Sequence, residues 1–220
     1  MAYSFQFRDV FAARDALQDG LLLTLQLTGT TIFFGFLIGL GLAVASVYGG
    51  RRLRQVAHVY VEVIRNTPLL VQIFVVFFGL PSLGIKLNVI PVATLTLAIN
   101  LGAYAAEIIR AGLESVPKSQ IEAGISLGMT RTEVFRHIVL MPALKNVYPS
   151  LTSQFVLLML ATSVVSQIAA PELFYAGSII QSRTYRDFEV YIVIAVLYLA
   201  ISLLLRGLFA LTHHLLFRRP

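Results

Sequence analysis

Cysteine is absent from this sequence of 220 residues. A chain without cysteine has neither a disulfide framework nor a thiolate metal site. Charge is scarce as well, because Asp, Glu, Lys and Arg make up only 13% of the residues, whereas an ordinary soluble domain carries about a quarter. That is too little charge to cover a surface facing water, and we therefore predict that lipid is the main solvent of the chain.

Two further features are missing. No Gly-x-x-x-x-Gly-Lys-[Ser/Thr] phosphate-binding loop occurs in the sequence, so we expect no nucleotide site of that type on this chain. The first stretch of the chain carries charges of both signs, whereas a signal peptide begins with a short basic stretch before an apolar core. We therefore expect no cleaved signal and a first span that is retained.

Hydrophobic residues, by contrast, make up 57% of the sequence, and apolar runs long enough to cross a bilayer recur along it. At about 20 residues per crossing, the chain has room for five or six crossings and no soluble catalytic domain. The sequence thus predicts an all-α polytopic membrane protein with about five transmembrane helices. The predicted crossings are residues 21–48, 56–80, 92–113, 149–170 and 188–211.

Local signals distinguish the first two crossings. Gly35 and Gly39 form a Gly-x-x-x-Gly pair, which permits close helix packing, although glycine is also simply frequent in membrane helices. The second crossing has a polar first half, and Pro68 follows it. Because proline removes a backbone donor and clashes with the preceding turn, we predict a kink or break at this point.

The distribution of Lys and Arg predicts how the chain is oriented. Residues 49–66, residues 107–146 and the C-terminal end from Arg206 hold twelve of the 17 Lys and Arg residues. Positive charge is enriched in cytoplasmic loops, so these segments are assigned to the cytoplasm and the N-terminus to the outside. The net charge of +6 then reports orientation, and no nucleic-acid partner is expected.

The longest polar segment carries a motif. Its key residues are Glu122, Ala123, Gly128, Ile138 and Leu140. Their spacing resembles the E-A-A loop of ABC importer permeases, in which Glu-Ala-Ala, three residues, Gly and nine residues precede Ile-x-Leu-Pro. Two positions depart from that pattern, since Gly124 replaces the second Ala and Pro142 comes one place late. Residues 65–72 and 103–110 resemble signatures of the branch that takes up polar amino acids.

The resemblance covers about residues 20–215 and implies a domain organisation. Residues 1–19 would be an external N-terminal segment, residues 20–215 a type I ABC transporter transmembrane domain, and residues 216–220 a cytoplasmic tail. Within the domain, residues 118–142 would be the cytoplasmic coupling loop. The chain itself would be no enzyme and would hold no cofactor.

The resemblance further implies a permease subunit of an ATP-driven, binding-protein-dependent amino acid importer in the bacterial plasma (inner) membrane. Its partners would be a second permease subunit, identical or homologous, two ATPase subunits that bind ATP and Mg, and an extracytoplasmic substrate-binding protein. The substrate would be an amino acid, and lipid would surround the spans. A secondary transporter and a non-transporting membrane scaffold are the alternatives, although we find no internal repeat or pair of matched broken helices.

The coupling loop has a structural interpretation of its own. Residues 119–128 and 131–139 are predicted as two short helices about a glycine hinge, because Thr130 is a plausible N-cap with Glu133 three residues on. The resemblance implies that this elbow docks in the ATPase through Glu122, Ala123, Gly128 and Thr130. The alternative is an amphipathic helix that lies on lipid headgroups.

Polar residues inside spans are costly and usually face a bundle interior or a pathway. The third crossing aligns Thr96, Asn100, Tyr104 and Glu107 within a narrow arc at 100° per residue. Other candidates are Gln72, Thr162, Ser163 and Ser166. Together they could line a polar chamber for a zwitterion, with acceptors for an ammonium and donors for a carboxylate. The alternatives are hydroxyl groups that only hold helices together and a structural ion pair between Glu107 and Arg110.

The last polar loop lies between the fourth and fifth crossings. It contains Arg183, Arg186 and Asp187. The family resemblance implies that this outer loop meets the substrate-loaded binding protein, for which alternating charges would suit a transient polar interface. An ordinary solvated surface is the alternative.

Overall fold

Helices form nearly the whole of the computed structural model, which describes residues 4–217. No strand occurs among these residues, and the all-α prediction is confirmed. The helices are α1 (Arg8–Ala12), α2 (Arg14–Tyr48), α3 (Arg51–Arg65), α4 (Leu69–Ser82), α5 (Val89–Glu114), α6 (Lys118–Ser126), α7 (Arg131–Val134), α8 (Leu140–Ala161), α9 (Leu173–Thr184) and α10 (Asp187–Phe217). A π-helical turn, Phe135–Val139, joins α7 to α8, and a 3₁₀ segment, Thr162–Ile168, follows α8.

Four helices are long and apolar enough to cross a membrane, and a bent pair supplies a fifth span. The four are α2, α5, α10 and the continuous helix from Arg131 to Ile168. The pair consists of α3 and α4, which meet at an angle of 106°. The prediction of about five spans is therefore confirmed.

The break in the second span lies where the sequence predicts it. Helix α3 ends at Arg65, and Pro68 stands before α4 with an extended backbone (φ −63°, ψ 136°). Proline fixes its own φ and disfavours the helical region for the residue before it. One proline thus ends one half-helix and begins the next.

The central packing joins α2 to α5 through small residues. A Cβ atom added to Gly35 would lie 2.8 Å from the Cβ of Leu101, and one added to Gly39 would lie 2.6 Å from the Cβ of Ala105. Real Cβ atoms do not approach other atoms so closely, so both positions require glycine. The packing function predicted for the Gly-x-x-x-Gly pair is confirmed.

Helix α5 lies at the centre of the bundle, and more of its residues are buried than of any other described helix. Leu97 and Leu101 of α5 pack in one cluster with Leu27 of α2, Ile73 of α4 and Val165 of the 3₁₀ segment. The outward faces of α2 and α10 remain apolar, as helices that contact lipid require.

Two predictions about secondary structure are wrong. Residues 171–187, expected to be a loop, contain the twelve-residue helix α9. Its N-cap is Glu172, whose carboxylate accepts the backbone N–H groups of Phe174 and Tyr175. The second helix of the elbow is not separate either, because α7 continues through the π turn into α8. Pro142, which has no N–H for the carbonyl of Ile138, follows that wider turn without breaking the helix.

The first and last membrane helices extend beyond the predicted crossings. Helix α2 begins at Arg14 instead of residue 21, and α10 extends to Phe217. Arg218 and Arg219, which contribute to the charge count, and the end of the 216–220 tail lie outside the described residues.

Candidate functional site

The elbow, residues 118–142, is built on one glycine and one capping box. Gly128 has a φ of +82°, a conformation that glycine adopts without strain. After it, the Thr130 hydroxyl accepts the N–H of Glu133, and the Glu133 carboxylate accepts the N–H of Thr130 at 2.8 Å. The glycine hinge and the N-cap that the sequence predicts are both present.

Gly124, which departs from the E-A-A pattern, has a packing role. A Cβ at this position would lie 2.4 Å from Cδ1 of Ile138 and 3.2 Å from Cγ2 of Val134. Because Gly124 has no side chain, α6 can approach the helix formed by α7 and the π turn. The two arms of the elbow therefore fold against each other as a compact unit.

The outer surface of the elbow combines the motif residues with exposed apolar side chains. Glu122 and Ala123 are exposed, and Leu127 is 82% exposed beside Gly128. A shallow cavity of about 460 Å³ opens next to them, bounded in part by Met129, Glu133 and His137. Exposed apolar groups rimmed by polar ones are typical of a protein interaction surface.

Gln72 bridges the break between α3 and α4. Its Nε2 group donates to the carbonyl oxygens of Ile64 at 2.7 Å and Thr67 at 3.1 Å, and to the Thr67 hydroxyl at 2.8 Å. The last carbonyls of a helix have no partner within it, so the amide of Gln72 replaces bonds that the break removes.

Asn100 of α5 completes this arrangement, since its Nδ2 group donates to Oε1 of Gln72 at 3.0 Å. The structure thus brings together two of the predicted pathway residues from different spans. The bent second span is tied to the central helix through their amides.

A charged cluster continues from this point along α5 towards the elbow. Glu107 pairs with Arg110 through two contacts, at 2.6 and 3.1 Å, and Arg110 also contacts Glu114 at 2.5 Å. Arg65 lies 3.9 Å from Glu107 and places its guanidinium 5.5 Å from the centre of the Tyr104 ring. The ion pair considered from the sequence is present.

The same cluster faces a cavity of about 500 Å³, which is large enough for a small solute. Its polar lining consists of Ser46, Arg54, His58, Glu62, Glu107, Arg110 and Glu114. Charges of both signs on one wall can bind both ends of a zwitterion, because carboxylates accept from an ammonium and guanidinium groups donate to a carboxylate.

The predicted hydroxyl residues have more local surroundings. Thr96 and Thr162 are buried and donate to the carbonyls of Val92 at 2.9 Å and Met159 at 2.6 Å. Ser163 and Ser166 are half-buried on the 3₁₀ segment and also bond to nearby carbonyls. The structure therefore places Thr96 and Thr162 within the packing, and a transport role for the four hydroxyls stays a prediction.

The predicted docking residues lie at the opposite end of the molecule from the elbow. Arg186 donates to Oε1 of Gln6 at 2.8 Å and lies 3.8 Å from Glu189, while Asp187 accepts a hydrogen bond from Gln181. Arg183 is exposed. Two of the three charges therefore hold the local structure together, and docking remains a prediction.

Sequence reasoning missed a buried polar network near this end. The Glu172 carboxylate is fully buried and accepts the hydroxyl of Tyr198 at 2.7 Å. The Thr24 hydroxyl accepts the N–H of Leu173 at 3.1 Å. Burial raises the pKa of the Glu172 carboxyl. No local sequence signal indicates this network, because its contacts join residues far apart in the chain.

Similarities to known proteins agree with this geometry. The family described as "Binding-protein-dependent transport system inner membrane component" matches residues 35–217. The chain is 39% identical over 204 residues to the L-cystine transport system permease protein TcyB of Bacillus subtilis (strain 168), over 92% of this chain and 86% of that protein. It is 36% identical over 203 residues to the glutamine transport system permease protein GlnP of Escherichia coli (strain K12), over 91% and 93%.

Solved structures share the fold. A chain from the crystal structure of an amino acid ABC transporter with histidines superposes with a TM-score of 0.91 and 37% identity, over 97% of this chain and 100% of that one. A chain of the inward-facing MetNI methionine ABC transporter gives a TM-score of 0.74 at 21% identity, over 90% and 94%. The second likeness concerns the fold alone.

Proposed function

The chain belongs to the family of inner membrane components of binding-protein-dependent transport systems, and from this we propose that it forms the translocation pathway of an ATP-driven importer for polar amino acids. The match covers residues 35–217, most of the protein. The relatives at 39% and 36% identity are permease proteins for cystine and glutamine. Both substrates share the ammonium and carboxylate of an amino acid.

The elbow is the observation that carries the proposal. A permease without a phosphate-binding loop must receive the effect of ATP hydrolysis from another chain, through a surface that contacts it. The elbow supports this role, because the left-handed hinge at Gly128 and the capping box at Thr130 hold an exposed apolar surface in a fixed shape. Glu122, Ala123, Gly128 and Thr130 would contact the ATPase.

The polar cavity supports the amino acid as substrate class. Its mixed charges suit a zwitterion, and the Gln72–Asn100 pair joins two of the three spans that border it. Tyr104 and Glu107 would contribute to the same pathway. Two ATPase subunits with ATP and Mg, a second permease subunit and an external binding protein would complete the importer. Arg183, Arg186 and Asp187 would face the binding protein, with the N-terminus outside and the C-terminus in the cytoplasm.

Co-purification tests the proposal. The tagged chain, expressed with the partner ATPase that the proposal requires, should retain that ATPase through detergent extraction and gel filtration. A variant with Leu127→Glu and Ala123→Glu, which places charge on the elbow surface, should lose it. A Leu83→Glu variant, changed at an exposed residue between α4 and α5, should keep it. Failure of the unchanged chain to retain the ATPase would contradict the proposal.

A further inference from the structure

The groove between α8 and α10 carries basic side chains and no acidic ones. It consists of two neighbouring cavities of about 430 and 650 Å³. Neither α8 nor the part of α10 after Glu189 contains Asp or Glu. The polar residues that line the α8–α10 groove are Lys145, Asn146, Tyr148, Thr152, Ser153, Arg206, His213 and His214.

The groove lies at the depth of lipid headgroups. Between Asp187 and Arg206, the one charged residue of α10 is Glu189, in the first turn. A helix of that length spans roughly 29 Å at about 1.5 Å per residue. The hydrocarbon core of a bilayer is about 30 Å thick. If Asp187 lies near one surface, Arg206 lies at the other, and residues 207–217 run among the headgroups.

This end of α10 is also the elbow end. Asn146, beside Lys145 on α8, donates to the hydroxyl of Ser115, just before α6, at 2.9 Å. The assignment of the elbow end to the cytoplasm rests on the proposed function. With that assignment, the groove faces the inner leaflet.

The walls of the groove are held at a fixed spacing. The Tyr148 hydroxyl on α8 donates to the carbonyl of Phe209 at 2.9 Å and also pairs with the Thr212 hydroxyl on α10. The rings of Tyr148, His213 and Phe217 contact one another, with centroids 5.1 to 5.6 Å apart. The groove therefore exists before any ligand enters it.

Its cations are not neutralised by the protein. Arg206 and Lys145 are exposed, and within residues 4–217 neither has an ion-pair partner. A guanidinium that faces a hydroxyl-bearing cavity presents the donors that a phosphate group accepts. On the side of Arg206 that faces the hydrocarbon core, the outward face of α10 is apolar, with Leu199, Leu203 and Leu204 more than half exposed.

We propose that the α8–α10 groove binds the headgroup of an anionic phospholipid of the inner leaflet. The phosphate accepts from Arg206, with Lys145 and the imidazole rings nearby, and an acyl chain lies along the leucines of α10. Basic pockets between membrane helices on the cytoplasmic side bind anionic headgroups in this way. The site would make the positions of α8 and α10 depend on the lipid composition of the membrane. Helix α8 continues directly from the elbow, and α10 is the last described helix.

Lipid retention tests the site. The full chain is reconstituted into nanodiscs of equal phosphatidylglycerol and phosphatidylcholine, released into detergent and examined by native mass spectrometry. The unchanged chain should retain phosphatidylglycerol preferentially. Arg206→Gln should lower that preference about fivefold, as expected for the loss of one basic contact near a bilayer surface, and Arg206→Lys should restore part of it. Arg51→Gln, changed at an exposed cation on α3 outside the groove, is the matched control.

Three results would overturn the proposal. One is equal retention in Arg206→Gln and Arg51→Gln. Another is release of the lipid by millimolar inorganic phosphate, which would make the site one for soluble anions. The third is a disulfide between two copies of a Ser153→Cys variant, which the absence of any other cysteine makes unambiguous and which would mean that a second copy covers the groove. Since none of these measurements involves transport, they leave the importer assignment untouched.

Discussion

At the residue scale, two positions of the candidate site are constrained in different ways, one by backbone conformation and one by hydrogen bonding. Gly128 is one, because its φ of +82° favours glycine, while a Cβ there would meet no atom within 4 Å. Any effect of substitution must therefore come from backbone strain and not from a clash. Asn100 is another, because its amide joins two spans through Gln72.

We expect Gly128→Val to insert normally in the membrane but to lose the ATPase or its stimulation by the binding protein. A β-branched residue in the left-handed region costs roughly 1–3 kcal/mol, which is enough to displace the hinge. Pull-down and binding-protein-stimulated ATP hydrolysis measure the effect. Asn is more tolerant of this region, so Gly128→Asn should retain more activity than Gly128→Val. Normal stimulation in the valine variant would leave the elbow without a coupling role.

Asn100→Ala should lower amino acid uptake while the ATPase stays bound. Loss of the amide leaves Oε1 of Gln72 without its partner, at a cost of about 1–3 kcal/mol for a buried polar group, and loosens the wall of the pathway. Uptake at matched expression is the measurement. Asn88→Ala is the control, since Asn88 is exposed and makes no side-chain cap on α5. Unchanged uptake in the Asn100 variant would reduce the predicted arc to helix packing.

At the element scale, small residues determine which helices approach each other. On α2, Gly39 and Gly41 are two residues apart but face different surroundings. A side chain on Gly39 would collide with α5, whereas nothing lies within 4 Å of a Cβ on Gly41. The two glycines therefore form a matched pair for testing the packing of α2 on α5.

Gly39→Ile should lower the thermal stability of the detergent-solubilised protein, and Gly41→Ile should leave it nearly unchanged. Overpacking a tight contact costs about 1–3 kcal/mol, and the clash at Gly39 includes backbone atoms of α5 that cannot move independently. Melting curves followed by circular dichroism compare the two variants. Equal melting temperatures would show that the close contact does not stabilise the bundle.

Some elements could be predicted from the sequence because their signals are local. Pro68 disfavours the helical conformation of the residue before it, and Thr130 with Glu133 caps a helix through residues three apart. Helix α9 could not be predicted in this way. Its start is stabilised by the contact of Leu173 with Thr24, 149 positions earlier, and by Tyr198 on α10, and such contacts exist only in the folded chain.

The same distinction applies to the candidate site. Helical periodicity placed Asn100, Tyr104 and Glu107 on one face of α5, and that face does carry the charged cluster. Periodicity could not identify the partner across the bundle. The angle between α3 and α4 determines two contacts, that of Asn100 with Gln72 and that of Arg65 with Glu107. This angle is a property of the tertiary structure.

At the scale of the whole molecule, the two ends differ in character. The elbow and the α8–α10 groove are at one end, and α1, α9 and the start of α10 are at the other, joined by the contacts of Gln6 with Arg186 and Glu189. An odd number of spans places the chain ends on opposite sides of the membrane. The Lys and Arg bias predicts that the elbow end lies in the cytoplasm.

Reporter fusions test this orientation. A reporter inserted after Ser178, in α9, should be active outside the membrane, and one fused after Pro220 should be active in the cytoplasm. The physical reason is the excess of Lys and Arg on the elbow side, which resists translocation. Reporters that appear on the same side would contradict an odd number of crossings.

ATP-driven uptake in proteoliposomes tests the central claim most directly. The vesicles would contain this chain and its partner ATPase, with ATP and Mg enclosed. The binding protein and labelled glutamine or cystine would be added outside. We predict accumulation of at least one of these amino acids that requires both ATP and the binding protein and is abolished by Gly128→Val. Uptake that proceeds equally without ATP or without the binding protein would contradict the importer assignment.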